Sequence, residues 1–181
     1  MTIVYSIAFF IAGVALIIGL FTLASLIVLF FTKVPFVPTP KKNVKLIIDQ
    51  LNLKPGQIFY DLGCGDGRFL IEAEKHGAKV FGFEISPWAH FRARLNLIIH
   101  QSRGKIFYQN FYFRPIADAD AVFCFLMDNV MPKVEEKLLK ELKPGAIVAS
   151  YGFKMPNWSP EKIVDLKPFD KKASKIYIYK K

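Results

Sequence analysis

The chain has 181 residues, with 25 Lys and Arg against 15 Asp and Glu, a net charge of +10 and a hydrophobic content of 52%. No charged side chain occurs between Thr2 and Thr32, so all charge falls on the remaining ~150 residues, enough for one core and too few for two large domains. Two cysteines, Cys64 and Cys124, and the scattered His76, His90 and His100 make neither a disulfide framework nor a metal-ligand cluster.

Residues 1–33 read as a membrane anchor. The uncharged stretch exceeds the ~20 residues that span a bilayer. It is too long for the ~7–15-residue apolar segment of a cleaved signal peptide, and no basic residue precedes it. A core helix in so small a domain would keep one polar face toward solvent, and none is present. The expected partner of residues 3–32 is therefore the lipid bilayer. Lys33, Lys41, Lys42 and Lys45 follow the anchor. Positive-inside bias then places the rest of the chain on the cytoplasmic side, or its organellar equivalent. There the positive charge lies under an anionic leaflet. Nucleic-acid binding is the rival account of that charge, disfavoured because a tether to the bilayer is a poor start for reaching RNA. Residues 34–40, Val-Pro-Phe-Val-Pro-Thr-Pro, form a stiff linker. Residues 41–181 form the remaining, charge-bearing domain.

Within that domain, residues 43–51 have the apolar spacing of an amphipathic helix, and Lys54-Pro55-Gly56 turns the chain into a strand, Ile58-Phe59-Tyr60. Asp61-Leu-Gly-Cys-Gly-Asp-Gly67 follows, ahead of a helix over residues 68–74. Gly63, Gly65 and Gly67 allow a sharp turn and let a ligand lie against bare peptide. Asp61 and Asp66 flank the turn and would repel a pyrophosphate. A dinucleotide fingerprint would also need glycine at 68, where Arg68 stands. A ligand carrying an ammonium and a sulfonium fits these carboxylates, which points to S-adenosylmethionine. The next strand, residues 79–83, ends in Glu84, placed to accept ribose hydroxyls.

Pro87 opens a helix to about His100, with Phe91, Leu95, Ile98 and Ile99 as its expected core stripe and Arg92, Arg94 and Arg103 on the solvated or lipid-headgroup side. Residues 105–108 make a third strand ending at Gln109-Asn110. Residues 121–126 make a fully apolar fourth. Val134, Leu138, Leu139 and Leu142 pattern a helix, residues 146–151 a fifth strand, and two more strands lie near 163–166 and 175–179. Alternating strands and helices predict an α/β, Rossmann-like, doubly wound sheet of seven strands, with one of the last two antiparallel.

This layout resembles the class I, seven-stranded S-adenosylmethionine-dependent methyltransferases over residues 41–181. More narrowly, Pro35-Phe-Val-Pro38 after an anchor, Asp-Leu-Gly-x-Gly-Asp-Gly-Arg at 61–68, Glu84-x-x-Pro87-Trp88 and Pro156-Asn-Trp158 are similar to one group. That group is the membrane-anchored protein-lysine methyltransferases of the adenine nucleotide translocase and ATP synthase c-subunit type. The resemblance implies that Asp61 and the backbone of Gly63, Cys64 and Gly65 hold the methionine end, that Glu84 binds ribose and that Ile85 packs on adenine. It places Asn110 at the adenine amino group, where related enzymes usually carry Asp.

Methyl transfer to a lysine needs alignment and a deprotonated amine. Tyr151, Phe153 and Trp158 are candidates for an aromatic acceptor pocket that would lower the amine's pKa. Asp128 is a candidate for orienting the amine, with a helix N-cap as its alternative role. The favoured acceptor is a membrane protein near the cytoplasmic face, with anchor and linker raising effective concentration. A small or lipid-like acceptor, or a non-catalytic cofactor-binding module, are the alternatives.

Overall fold

The computed structural model describes residues 2–32, 38–166 and 174–181. Helix α1 (Thr2–Thr32) precedes α2 (Lys41–Gln50). Strands and helices then alternate through β1 (Ile58–Leu62), α3 (Arg68–Glu74), β2 (Lys79–Glu84), α4 (Pro87–Ile99) and β3 (Lys105–Tyr108). β4 (Ala121–Cys124), α5 (Met131–Glu141), β5 (Ile147–Tyr151), β6 (Lys162–Asp165) and β7 (Lys175–Lys180) complete the order. Short 3-10 turns, Phe111–Phe113 and Asp128–Val130, follow β3 and β4.

All seven strands join one sheet in the order β3-β2-β1-β4-β5-β7-β6. β1 to β5 pair in parallel. β7 is the antiparallel strand, pairing Tyr179 with Val148 of β5 and Ile176 with Val164 of β6. The connection expected as a short turn between β6 and β7 lies outside the described residues, as do residues 33–37 of the linker.

The sheet is covered on both faces, which is why its central strands are apolar without alternation. One face packs Phe59, Phe123, Ala149 and Ile178 against Ile47, Ile48 and Leu51 beside α2 and Phe69, Leu70 and Ala73 of α3. The other packs Leu62, Val122, Cys124, Val148 and Tyr179 against Met131, Val134 and Leu138 of α5. Strand order reverses around β1, whose neighbours are β2 and β4. Connections leaving to opposite sides there open a crevice at the carboxyl ends of the strands.

Three elements depart from the sequence expectation. In α4, Phe91, Leu95, Ile98 and Ile99 are exposed, and Ala89, Ala93 and Leu97 are buried instead. The cause is close approach: a Cβ at Gly67 would lie 2.8 Å from Leu97 Cδ1 and 3.6 Å from Ala93 Cβ. Ala89 and Ala93 let that face approach closely, and Leu97 fills the space that glycine leaves at 67. In α5, Leu139 lies at the margin of the buried stripe and is exposed. Lys137 is buried there, its Nζ donating to Arg114 O at 2.8 Å and Glu141 Oε1 at 2.6 Å. β4 stops at Cys124, so Phe125 and Leu126 leave the ladder at the crevice.

α1 is apolar and exposed over most of its length, and residues Ile3–Val28 are long and apolar enough to cross a membrane. Its half-buried residues Phe21 and Ser25 face α4. The Phe21 and Phe91 rings lie 6.1 Å apart, and Ser25 Oγ accepts from Ser86 Oγ at 3.2 Å and Trp88 N at 3.4 Å.

Candidate active site

The site is built where β1 runs into α3. Gly63, Gly65 and Gly67 adopt φ of +95°, +56° and +78°, a region open to glycine at little cost. The turn is pinned to β2, since Gly63 N and Cys64 N donate to Phe83 O at 3.0 and 2.8 Å. Cys64 is buried beneath it. Burial, and then the Asp61 and Glu84 charges, push its thiol well up, so it packs rather than attacks.

Glu84 closes β2 and is held from three directions. Its Oε2 accepts from Gly65 N at 2.9 Å, and its Oε1 accepts from Ile85 N at 2.9 Å and Ser86 N at 2.8 Å. Burial raises its pKa against those three bonds, which lower it. A carboxylate offers about four lone-pair directions, so acceptor capacity remains for the crevice.

The two carboxylates that flank the turn have separate fates. Asp66 forms a two-pronged pair with Arg68, Nε to Oδ1 at 2.8 Å and Nη2 to Oδ2 at 2.5 Å. Burial acts upward on its pKa, yet Arg68 outweighs it and the net shift is down. Arg68 Nη1 also donates to Thr39 O, tying the end of the linker to the turn. Asp61 has no such cation. It is 1% exposed, and its Oδ1 is buried without a hydrogen-bond partner among the described residues. Burial, then Glu84, then Asp66 push its pKa well above the usual carboxylate range.

These groups line a cavity of about 700 Å³, within the size range of small-molecule sites. Asp61, Gly63, Cys64, Gly65, Asp66, Glu84, Ile85 and Asn110 all face it, while Gly67 stands behind as the residue before α3. Asn110 Oδ1 is engaged locally, accepting from Tyr112 N at 3.0 Å.

Three of the four acceptor-side candidates lie outside the cavity lining. Asp128 is exposed at the start of its 3-10 turn and is not the N-cap residue, a position taken by Met127. Tyr151 packs on Phe125 with centroids 4.9 Å apart, and its hydroxyl accepts from Asn43 Nδ2 at 3.2 Å. Trp158 packs on Tyr179, 5.1 Å between rings. Of the expected aromatic wall, Phe153 alone lines the cavity, joined by Phe111, Tyr112, Phe123 and Phe125. Asn129 and Lys133 are there too, with Lys133 Nζ 4.6 Å from the Tyr112 ring centroid. Ile18, Thr22, Ser25 and Leu26 of α1 form a further wall. Periodicity could not find Phe125, which continues an unbroken apolar run, and no local signal marks the α1 residues.

Comparison with known proteins decides the family. The model of the ANTKMT methyltransferase domain matches residues 61–162, from Asp61 of the glycine turn into β6. The chain belongs to this family. It is an S-adenosylmethionine-dependent methyltransferase of the protein-lysine type. It is 35% identical over 150 residues to a protein-lysine N-methyltransferase of Saccharolobus islandicus, covering 81% of this chain and 92% of that one. It is 33% identical over 130 residues to the mouse lysine N-methyltransferase of the ATP synthase c-subunit, covering 70% of this chain and 52% of that protein. The mouse adenine nucleotide translocase lysine N-methyltransferase is 32% identical over 135 residues, covering 73% and 58% respectively. The methyltransferase thus spans only about half the length of these two mouse relatives. Among solved structures, an RNA methyltransferase from Salinibacter ruber with S-adenosyl-L-homocysteine superposes with a TM-score of 0.74 at 31% identity, covering 80% and 93%. The cavity fits such a cofactor: an orphaned buried carboxylate oxygen at Asp61 suits an ammonium, and the glycine turn leaves peptide groups bare.

Proposed function

We propose that this methyltransferase N-methylates a lysine of a membrane protein, working at the cytoplasmic or equivalent face to which α1 anchors it. The observation that carries the reading is the wall of α1 in the cavity. An apolar helix fit to span a bilayer lines the same space as Asp61 and Glu84, so the reaction takes place beside the membrane. The names of the mouse relatives, which act on the ATP synthase c-subunit and the adenine nucleotide translocase, support an acceptor of this class.

When bound, S-adenosylmethionine supplies an electrophilic methyl on a sulfonium. In this reading Asp61 receives the ammonium, the backbone of Gly63 to Gly65 holds the methionine end, and Glu84 receives the ribose. Ile85 and Asn110 flank the adenine. Asp66 acts indirectly, by locking Arg68 and the turn. The acceptor amine, with an ordinary pKa of ~10.4, must lose its proton. Phe125, Phe153 and Tyr112 disfavour its charged form by desolvation, and the Lys133 cation adds repulsion. With Asp128 outside the lining, deprotonation falls to this environment and to solvent.

The test is transfer of tritiated methyl by the full-length protein to separated membrane-protein, organic-extractable and RNA fractions. Methyl-lysine on an apolar polypeptide supports the reading. Label confined to the organic phase assigns a lipid-like acceptor, and label confined to RNA assigns the activity named for the Salinibacter relative. For orientation, protease added to sealed right-side-out vesicles should leave residues 41–181 intact, and digestion would reverse the topology.

A further inference from the structure

The outward face of α4 stays exposed although α1 meets its first turns at Trp88 and Phe91. Five large apolar side chains lie on it: Trp88, Phe91, Leu95, Ile98 and Ile99, the last two 70% and 64% exposed. At about 100° per residue they fall within an arc of roughly 100°, with Arg92 on one flank and Arg94 on the other. Arg103, just past the helix, is also exposed. The buried face of α4 is the opposite one, Ala89, Ala93 and Leu97. A contiguous apolar face of this kind on a folded domain marks a surface that meets something.

We propose that this face of α4 docks into an anionic lipid surface beside the membrane span. The inference rests on α1 being that span. Continuity with α1 singles out lipid. Ser25 meets Trp88 while Phe21 meets Phe91, so the two helices run in opposite directions at their contact. The later turns of α4, with Leu95, Ile98 and Ile99, therefore lie along the earlier part of α1. About 20 residues span the hydrocarbon core, which brings a span starting near Ile3 to its boundary near Thr22. α4 thus starts at the membrane surface, and its later turns lead toward the lipid. Trp88 suits the interface, and the exposed Arg94 and Arg103 suit phosphate headgroups and the net charge of +10. The consequence is a fixed pose: α1 supplies the tether and α4 the second contact that orients the cavity mouth.

Cys64 and Cys124 are buried, so a single introduced thiol can be labelled selectively. Full-length Ile98→Cys carrying an environment-sensitive fluorophore is reconstituted into phosphatidylcholine–phosphatidylglycerol vesicles, with exposed Lys140→Cys on α5 as the control. The expected result is blue-shifted emission at position 98, quenched several-fold more by shallow nitroxide lipids than at position 140. Arg94→Glu with Arg103→Glu should reduce that quenching in anionic vesicles. Alkaline extraction reports separately on α1. A chain that resists extraction yet shows water-like emission at position 98 overturns the docking and leaves the anchor standing. Water-like emission in protein-free vesicles that becomes shielded in acceptor-containing native membranes assigns the face to a protein and also overturns the proposal. Release of the chain by alkali overturns both.

Discussion

Asp61 is a buried carboxylate whose Oδ1 has no hydrogen-bond partner among the described residues. Its pKa is raised by burial and by Glu84 and Asp66, so the fold favours its protonated form. The stability that follows is present below the ordinary carboxylate pKa of ~3.9 and is lost as pH rises through the raised value. The ligand-free protein should therefore melt at a lower temperature as pH climbs above about 4. Asp61→Asn should flatten that dependence and raise the melting temperature at neutral pH. The same substitution removes a charged acceptor worth ~1.5–3 kcal/mol, so affinity for S-adenosylhomocysteine should fall at least tenfold by calorimetry. A variant that is stabilised yet binds normally would remove Asp61 from the cofactor site. Glu84 behaves differently, because its oxygens also hold Gly65, Ile85 and Ser86. Glu84→Ala would strand those donors, at about 1–3 kcal/mol for each one left buried and unsatisfied, and so confuse folding with binding. Glu84→Gln keeps one acceptor oxygen and turns the other into a donor. Affinity at least tenfold weaker, with a modest loss of melting temperature, is expected there.

Among the elements, close contacts rather than propensities decide what each helix shows to solvent. α4 is displaced toward α3 by Gly67, Ala93 and Leu97, and its larger residues are turned outward. A matching contact sits beneath the glycine turn, where Gly82 of β2 admits Cys64 and Leu70. A Cβ at Gly82 would lie 2.7 Å from Cys64 Sγ and 2.8 Å from Leu70 Cδ1. Gly82→Ala should cost ~1–3 kcal/mol in urea unfolding through overpacking. It should also weaken cofactor binding, because the turn rides on Cys64. Unfolding at an unchanged midpoint would show that the turn can move freely. The strand and helix pattern, including an antiparallel strand near the end, was legible because apolar periodicity and Lys-Pro-Gly turns are local signals. The face of α4 was not, since two stripes of opposite size share one helix and periodicity marks the larger.

For the whole molecule, α1 bears on the cavity as well as serving as the proposed tether. Among the described residues neither core cluster contains one from α1, so the core of the seven-stranded domain is built without it there. The cavity does, through Ile18, Thr22, Ser25 and Leu26. A chain beginning at Pro38 should keep the spectroscopic signature of the fold and bind S-adenosylhomocysteine several-fold more weakly. High concentrations of solubilised acceptor should restore its activity only in part. Full restoration, with unchanged cofactor affinity, would reduce α1 to effective concentration alone.

By itself the sequence determined the glycine turn with its two carboxylates, the acidic end of β2 and the order of strands around them. Each follows from backbone freedom, charge or periodicity within a few residues. The tertiary structure alone decided which carboxylate stays open. Asp66 and Asp61 look equivalent in sequence, and Arg68 neutralises one while Glu84 presses on the other. It also decided the cavity lining, placing Phe125, Tyr112 and Lys133 in it and Tyr151, Trp158 and Asp128 outside it. Such assignments depend on which ends of non-adjacent strands meet, and local spacing along the chain carries no record of that.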